Sequence, residues 1–215
     1  MRLFKMFVGC LCLMAMASCG NGNQSVNNKP TGDSIMKEEN NAVIETIMAR
    51  RSIRKYKNET VNRELLDQIM ECGINAPNGQ NKQSWEVRVV DNPQVMKEIC
   101  DALNAAYPDM DNAAGCFRGA PIMVFIARDK SYDFSAYDCG LMAENMMLSA
   151  QSLGIGSICL GSPVRFINDN PACEPILKRL AFSEGYELSL CVGLGYAAES
   201  PNAKPRDKGK VQYVE

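Results

Sequence analysis

The stretch DCGLMAENMMLSAQSLGIGSICLG, Asp138–Gly161, decides how the chain is laid out. From Asp138 to Leu153 it carries Met142, Met146 and Met147 and little polar surface, which reads as a long, central helix. Gly154 closes that helix, because glycine adopts the left-handed turn a helix end needs. A short strand near Ser157–Leu160 follows. Upstream, PIMVFIA (Pro121–Ala127) is a continuous apolar run, as expected of a strand buried on both faces. WEVRVV (Trp85–Val90) reads as another strand, followed by a helix from about Pro93 to Ala106. Asn62 caps a helix with Leu65, Leu66, Ile69 and Met70 in its stripe, and NAPNGQN (Asn75–Asn81) breaks it into a loop. Ala42–Arg50 reads as a helix with Val43, Ile44, Ile47 and Met48 on one face. Downstream come a helix near Pro175–Ala181 and a last strand, YELSLCVGLG. Helices interleaved with a few strands make an α+β or α/β sandwich.

The chain has 215 residues, 46% hydrophobic and 22% charged, with a formal net charge of −2. That balance supports a real core and lacks the broad basic excess of a general nucleic-acid or acidic-membrane binder. Histidine is absent. No Ser-His-Asp or Cys-His machine is available, nor a metal site that needs imidazole. A carboxylate, Tyr, Lys, Cys or a cofactor must carry any chemistry. Of the ten cysteines, Cys10, Cys12 and Cys19 lie in or just after the N-terminal apolar segment. The other seven are scattered without a C-x-x-C pair, cannot all pair within one chain, and read as mostly buried small hydrophobes.

The N-terminus has basic Arg2 and Lys5, then an apolar run from Met6 to Met16 that is too short to span a bilayer. Residues 1–18 read as a secretory signal. MASC resembles the lipobox of bacterial lipoproteins, which implies cleavage between Ser18 and Cys19 and lipid on Cys19, a membrane-anchored protein of the cell envelope. An ordinary secreted protein is the alternative. Residues 19–40, rich in Asn, Gly and Ser, read as a flexible tether, leaving 41–215 as the folded domain.

Two motifs remain. GLGYAA (Gly193–Ala198) matches a dinucleotide-binding turn, but Pro201 and Pro205 preclude the helix that such a turn requires, so these glycines are expected to let the chain turn. RRSIRKY (Arg50–Tyr56) concentrates four cations at a helix end, where the dipole tolerates them. Read plainly, it is a solvated helix end. Ser52 among these arginines, and a second pair, Lys204 and Arg206, in a Pro-stiffened KPR, suggest instead a convergent anion site.

Four blocks together resemble the FMN-dependent nitroreductase family across nearly all of 41–215. RRSIRKY resembles R-R-S-x-R-x-[FY], and NAPNGQNKQSW resembles A-P-S-x-x-N-x-Q-P-W. Asp138–Gly161 resembles the D-x-G…L-G-[IL]-G block, and GLGYAAESPNAKPR the glycine-then-KPR ending. The resemblance implies an α/β sandwich with a central, mostly antiparallel sheet flanked by helices, assembled as an intertwined homodimer. It implies FMN as cofactor, with Arg50, Arg51, Ser52, Lys204 and Arg206 around the phosphate and ribityl chain. Arg54 would lie near the pyrimidine edge. Pro77, Asn78, Gly79 and Asn81 would reach the flavin from the other subunit. Cys159, Leu160 and Gly161 would lie against one ring face with the Gly161 N–H toward N5, and Asn104 would touch the ring edge. Asn78 and Ser84 depart from the family's Ser and Pro, and the short Arg128–Tyr137 stretch implies a small, open pocket.

The implied reaction needs no protein nucleophile, consistent with the missing histidine. Hydride passes from NAD(P)H through flavin N5 to a nitroaromatic, quinone or similar small-molecule acceptor in ping-pong fashion. An envelope location sits uneasily with a cytoplasmic nicotinamide. An envelope flavoprotein reduced by a quinol or protein donor, or a non-catalytic flavin-binding lipoprotein, therefore stays open. No metal and no nucleic acid are expected.

Overall fold

A computed structural model describes residues 41–215. The signal-like segment, Cys19 and the tether lie outside the described residues. The elements are α1 (Ala42–Ala49), α2 (Arg63–Ile74), β1 (Trp85–Val90), α3 (Pro93–Ala106), β2 (Ile122–Asp129), α4 (Ser135–Ser152), β3 (Gly156–Leu160), α5 (Ser162–Asp169), α6 (Glu174–Leu180) and β4 (Tyr186–Gly195). Asparagines start several of the helices. Asn41, Asn62 and Asn92 each accept from backbone N–H groups at the starts of α1, α2 and α3, satisfying donors the helix itself cannot.

The four strands run in the order β1-β2-β4-β3, and every pairing is antiparallel. β2 and β4 are central and buried on both faces, which is why PIMVFIA has no polar alternation. Met123 and Phe125 of β2 pack with α3, α5 and α6 through Ile99, Leu103, Ile167 and Ile176. Ile122, Val124 and Ile126 point the other way, onto Leu66 and Ile69 of α2 and Met142 and Met146 of α4. Register steps from Ile126↔Leu190 to Ala127↔Leu188, leaving Ser189 as a bulge. The bulge changes the phase of β4, so Leu188 and Cys191 share one core while Val192 and Leu194 face the other.

Three expectations are corrected, and the direction of the α1 stripe is added. α4 begins at Ser135, three residues early, because the Ser135 hydroxyl bonds to the carbonyls of Asp129 and Tyr132 at 2.7 Å each and lets the helix start directly after β2. α5, absent from the sequence reading, begins with Ser162-Pro163, where proline's fixed φ suits a first turn. The apolar stripe of α1 does not face this subunit's core: Val43, Ile44, Ile47 and Met48 are 48–69% exposed. Gly193 and Gly195 do not turn the chain. Both lie within β4, and their lack of a side chain admits neighbours. A Cβ on Gly195 would lie 2.6 Å from Pro121 Cγ and 2.9 Å from Tyr56 Cδ1.

Of the seven described cysteines, Cys116, Cys139, Cys173 and Cys191 are buried, Cys72 and Cys100 half-buried, Cys159 exposed, and all are free thiols. No helix among the described residues is long and apolar enough to cross a membrane.

The Gly195 contact gives a direct test. Gly195→Ala should lower stability by about 1–3 kcal/mol through overpacking, read as a lower urea midpoint with unchanged slope. An unchanged midpoint would mean that Tyr56 and Pro121 are not packed on this strand.

Candidate active site

Backbone pairing brings the two cation sets together. After α1 the chain runs along the open edge of β3. Ser52 bridges Ser157 in parallel, and the Ile53 N–H donates to the Ser157 carbonyl at 2.9 Å. It then crosses to the segment after β4. The Lys57 N–H donates to Tyr196 O, and the Ala198 N–H to Lys55 O, both at 2.9 Å, around a Tyr56↔Ala197 bridge. The Glu199 carboxylate accepts the Arg54 N–H. The Tyr56 ring lies in this lacing, its hydroxyl donating to Ile53 O at 2.9 Å. Burial raises its phenol pKa well above the ordinary value, Glu199 adds to the rise, and Arg54 opposes it. Residue 50 and residues 201–206, far apart in sequence, are thereby held side by side.

The product is a cavity of about 470 Å³, lined by Arg50, Arg51, Ser52, Arg54, Lys204 and Arg206, together with Ile47, Met48, Glu144 and Pro201–Ala203. Five cations face one carboxylate, and none of the five enters a salt bridge among the described residues. Their roles within the fold differ. Arg51 Nη1 donates to the Met48 and Arg50 carbonyls at 2.7 and 2.8 Å, closing the C-terminal end of α1. Arg54 Nη1 donates to Ser52 O at 3.1 Å. Arg206 Nη1 lies 3.4 Å from Lys204 O and 3.5 Å from Pro205 O, long contacts at most. Arg50 Nη1 is buried with no partner among the described residues. A buried guanidinium N–H without an acceptor is costly and therefore rare. Here its acceptor is not supplied by the described residues.

Cys159 borders the same region, within electrostatic reach of Arg50 and Glu144. Although exposed at the edge of β3, its sulfur is crowded by packed atoms that strip water from it and push the thiol up. Glu144 pushes the same way and Arg50 opposes. The thiolate is thus disfavoured at neutral pH. Gly161 precedes α5 with open space in front of it. The Leu160 side chain instead lies in the core, so only its backbone can serve a site.

Other sequence candidates are not brought to this cavity. Asn104 Oδ1 accepts the Ala114 N–H at 2.9 Å and joins α3 to the turn that follows it. Pro77, Asn78, Gly79 and Asn81 lie on the loop between α2 and β1, pinned to the start of α4. Sequence reasoning missed Glu199, Glu144 and the α1 wall of Ile47 and Met48. Glu199 lies inside the GLGYAAESPNAKPR block but between its recognisable residues. Glu144 and the α1 wall carry no signal until α4 and α1 are packed.

The contrast between neighbouring arginines predicts opposite effects on the ligand-free protein. Arg51→Met removes two carbonyl partners and should cost about 1 kcal/mol, whereas Arg50→Met removes an unpaired buried donor and should leave the urea midpoint unchanged or raised. A fall for Arg50→Met as large as that for Arg51→Met would mean that Arg50 has a partner within the chain.

Known proteins share the sequence and the fold of this chain. The description "Nitroreductase family" matches residues 47–196. A nitroreductase with bound FMN from Desulfitobacterium hafniense is 34% identical, with a TM-score of 0.73, covering 81% of this chain and 99% of that one. A nitroreductase with bound FMN from Bacteroides fragilis is 30% identical, with a TM-score of 0.72, covering 81% of this chain and 100% of that one. An FMN reductase of Bacillus subtilis, whose name specifies NAD(P)H, is 29% identical over 182 residues, 77% of this chain and 70% of its own length. With its antiparallel sheet between helical layers and its laced cationic cavity, the chain belongs to the nitroreductase family.

Proposed function

We propose that the protein is an FMN-dependent oxidoreductase that passes reducing equivalents from NAD(P)H to a nitroaromatic, quinone or similar small acceptor. The observation that carries this is the partnerless, buried Arg50 Nη1 in a cavity ringed by four further cations. The donor set fits FMN. Its phosphate carries close to two negative charges at neutral pH. Five converging cations repel one another until such an anion arrives. Guanidinium groups supply paired donors, and Ser52 adds a hydroxyl. A cavity of about 470 Å³ is of the size small-molecule sites occupy. Arg50, Arg51, Ser52, Lys204 and Arg206 would hold the phosphate and ribityl chain. Arg54 would face the ring's pyrimidine edge, and Cys159 and the backbone of Gly161 would border the ring. Bound there, the flavin would supply hydride-transfer chemistry. The relatives support the assignment, since two solved structures contain FMN and the Bacillus reductase is named for FMN and NAD(P)H.

The homodimer belongs to the same reading. The α1 stripe is exposed, and α4 also leaves Tyr137 and Leu141 70% and 46% exposed. So much apolar surface on two neighbouring helices favours burial against a second copy. The loop 77–81, which does not line its own subunit's cavity, would then serve the partner's. For residues 1–40, which lie outside the described residues, the lipoprotein reading makes 1–18 a signal and Cys19 the lipidated residue that tethers the domain at the cell envelope. In that location a quinol or protein donor competes with NAD(P)H as reductant.

Purified protein should be yellow or should take up FMN at micromolar concentration. Arg50→Ala and Arg206→Ala should each weaken FMN affinity by about tenfold or more, as expected for lost charge-assisted bonds, and raised salt should weaken the wild type. Normal retention in both variants would refute the phosphate assignment. Rapid mixing with NADH or NADPH should bleach the flavin; failure with both, alongside reduction by a quinol analogue, would transfer the reductant role to the envelope donor. Light scattering should give twice the subunit mass, and Ile47→Asp should reduce it to one. Cys19→Ala should move the protein from the membrane to the soluble fraction.

A further inference from the structure

The loop between α2 and β1 carries three of the five non-glycine residues with positive φ among the described residues: Gln80 (54°), Asn81 (53°) and Gln83 (50°). The left-handed region costs a residue with a Cβ roughly 1–2 kcal/mol. Such strain persists only where the surroundings over-determine the backbone, and it concentrates at ligand clamps. The restraint here is identifiable. Asp138, only 3% exposed in the first turn of α4, accepts the Gly79 N–H at 3.0 Å on Oδ1 and the Ser84 hydroxyl at 3.1 Å on Oδ2. One carboxylate therefore fastens both ends of the strained segment to one helix, at the helix end where negative charge is favoured. Within the loop, Asn78 Oδ1 accepts the Gln83 N–H at 3.0 Å. Tyr132 backs the loop: a Cβ on Gly79 would lie 2.2 Å from its hydroxyl oxygen, and the Lys82 ammonium sits 4.2 Å from its ring centre.

This latch leaves Gln80, Asn81, Lys82 and Gln83 facing solvent. It secures a polar, strained face on the helix that also presents Tyr137 and Leu141 outward. Ser84 stands where the family block has proline. Its buried hydroxyl, bonded to Asp138, takes over the restraint that the proline ring would give.

We propose that Asp138, with Ser84 as its second anchor, is a positioning residue. Its two oxygens hold the 77–83 loop in the shape it presents to the flavin ring of the partner subunit. The inference rests on the reading above, that this loop serves a flavin site across the dimer. Asp138→Asn tests it from the conservative side, because an amide keeps the acceptor for Gly79 N–H and can donate its NH2 to Ser84 Oγ.

The test compares wild type, Asp138→Ala, Asp138→Asn and Ser84→Ala by hydrogen exchange of the flavin-free protein, FMN dissociation rate, and steady-state kinetics with a quinone acceptor. Asp138→Ala should speed exchange at the Gly79 amide and accelerate FMN dissociation by about tenfold, the scale of two lost hydrogen bonds. It should raise the acceptor KM more than it lowers kcat. Ser84→Ala should give about threefold effects, from one neutral donor lost, and Asp138→Asn should return close to wild type in every readout. If Asp138→Ala does not fold, Ser84→Ala and Asp138→Asn decide alone. Faster exchange at Gly79 with wild-type FMN dissociation and KM would overturn the proposal, leaving the latch purely structural. Unchanged exchange would overturn it too. Wild-type protein that binds FMN with its Arg50 dependence intact keeps the function reading standing in either case, so the two failures are distinguishable.

Discussion

The structure depends on a strip of backbone pairing. Residues 52–57 are hydrogen-bonded on one side to β3, through Ser157, and on the other to residues 196–198 beyond β4. Without this lacing, Arg50–Arg54 would be a solvated helix end and Lys204–Arg206 an unrelated tail. With it, like charges are gathered where they repel one another. The sheet contributes space: Gly156, Gly193 and Gly195 lack the side chains that would otherwise press on Ile53, Ala120, Pro121 and Tyr56. Packing energy thus positions groups whose mutual electrostatics are unfavourable until an anion joins them. The unpartnered Arg50 nitrogen is the clearest local sign of that frustration, which belongs to the binding site and not to the core.

Much of the fold was legible in the sequence. β1 and α3 fall where WEVRVV and the run from Pro93 to Ala106 place them. Buried β2 announced itself by an unbroken apolar run. α5 was not legible: SPVRFIND is short, begins without a side-chain cap, and buries only Pro163 and Ile167. The glycines of GLGYAA were misread as turn-formers, because sequence shows that a residue lacks a side chain but not which neighbour needs the space. The α1 stripe was seen, but its direction was not, since a partner subunit and a subunit's own core select the same residues.

The site divides along similar lines. Charge clusters with a hydroxyl among them are visible as composition, so Arg50, Arg51, Ser52, Arg54, Lys204 and Arg206 could be named, and they do line one cavity. Which arginine is spent on the fold was not visible. Arg51 closes a helix while Arg50 Nη1 has no partner among the described residues, a difference set by side-chain direction at adjacent positions. Glu199 and Asp138 went unassigned for the same reason: a carboxylate that accepts a backbone N–H across the fold leaves no periodic trace. Asn104 came only from the family resemblance, and its amide serves a neighbouring turn.

The central claim is that the convergent cations are built for a phosphate. Its most direct test is a calorimetric comparison of FMN with riboflavin, the same ring and chain without that phosphate, on the ligand-free protein. FMN should bind at least about a hundredfold more tightly, as two or more charge-assisted bonds require. Equal affinity for the two would contradict the account.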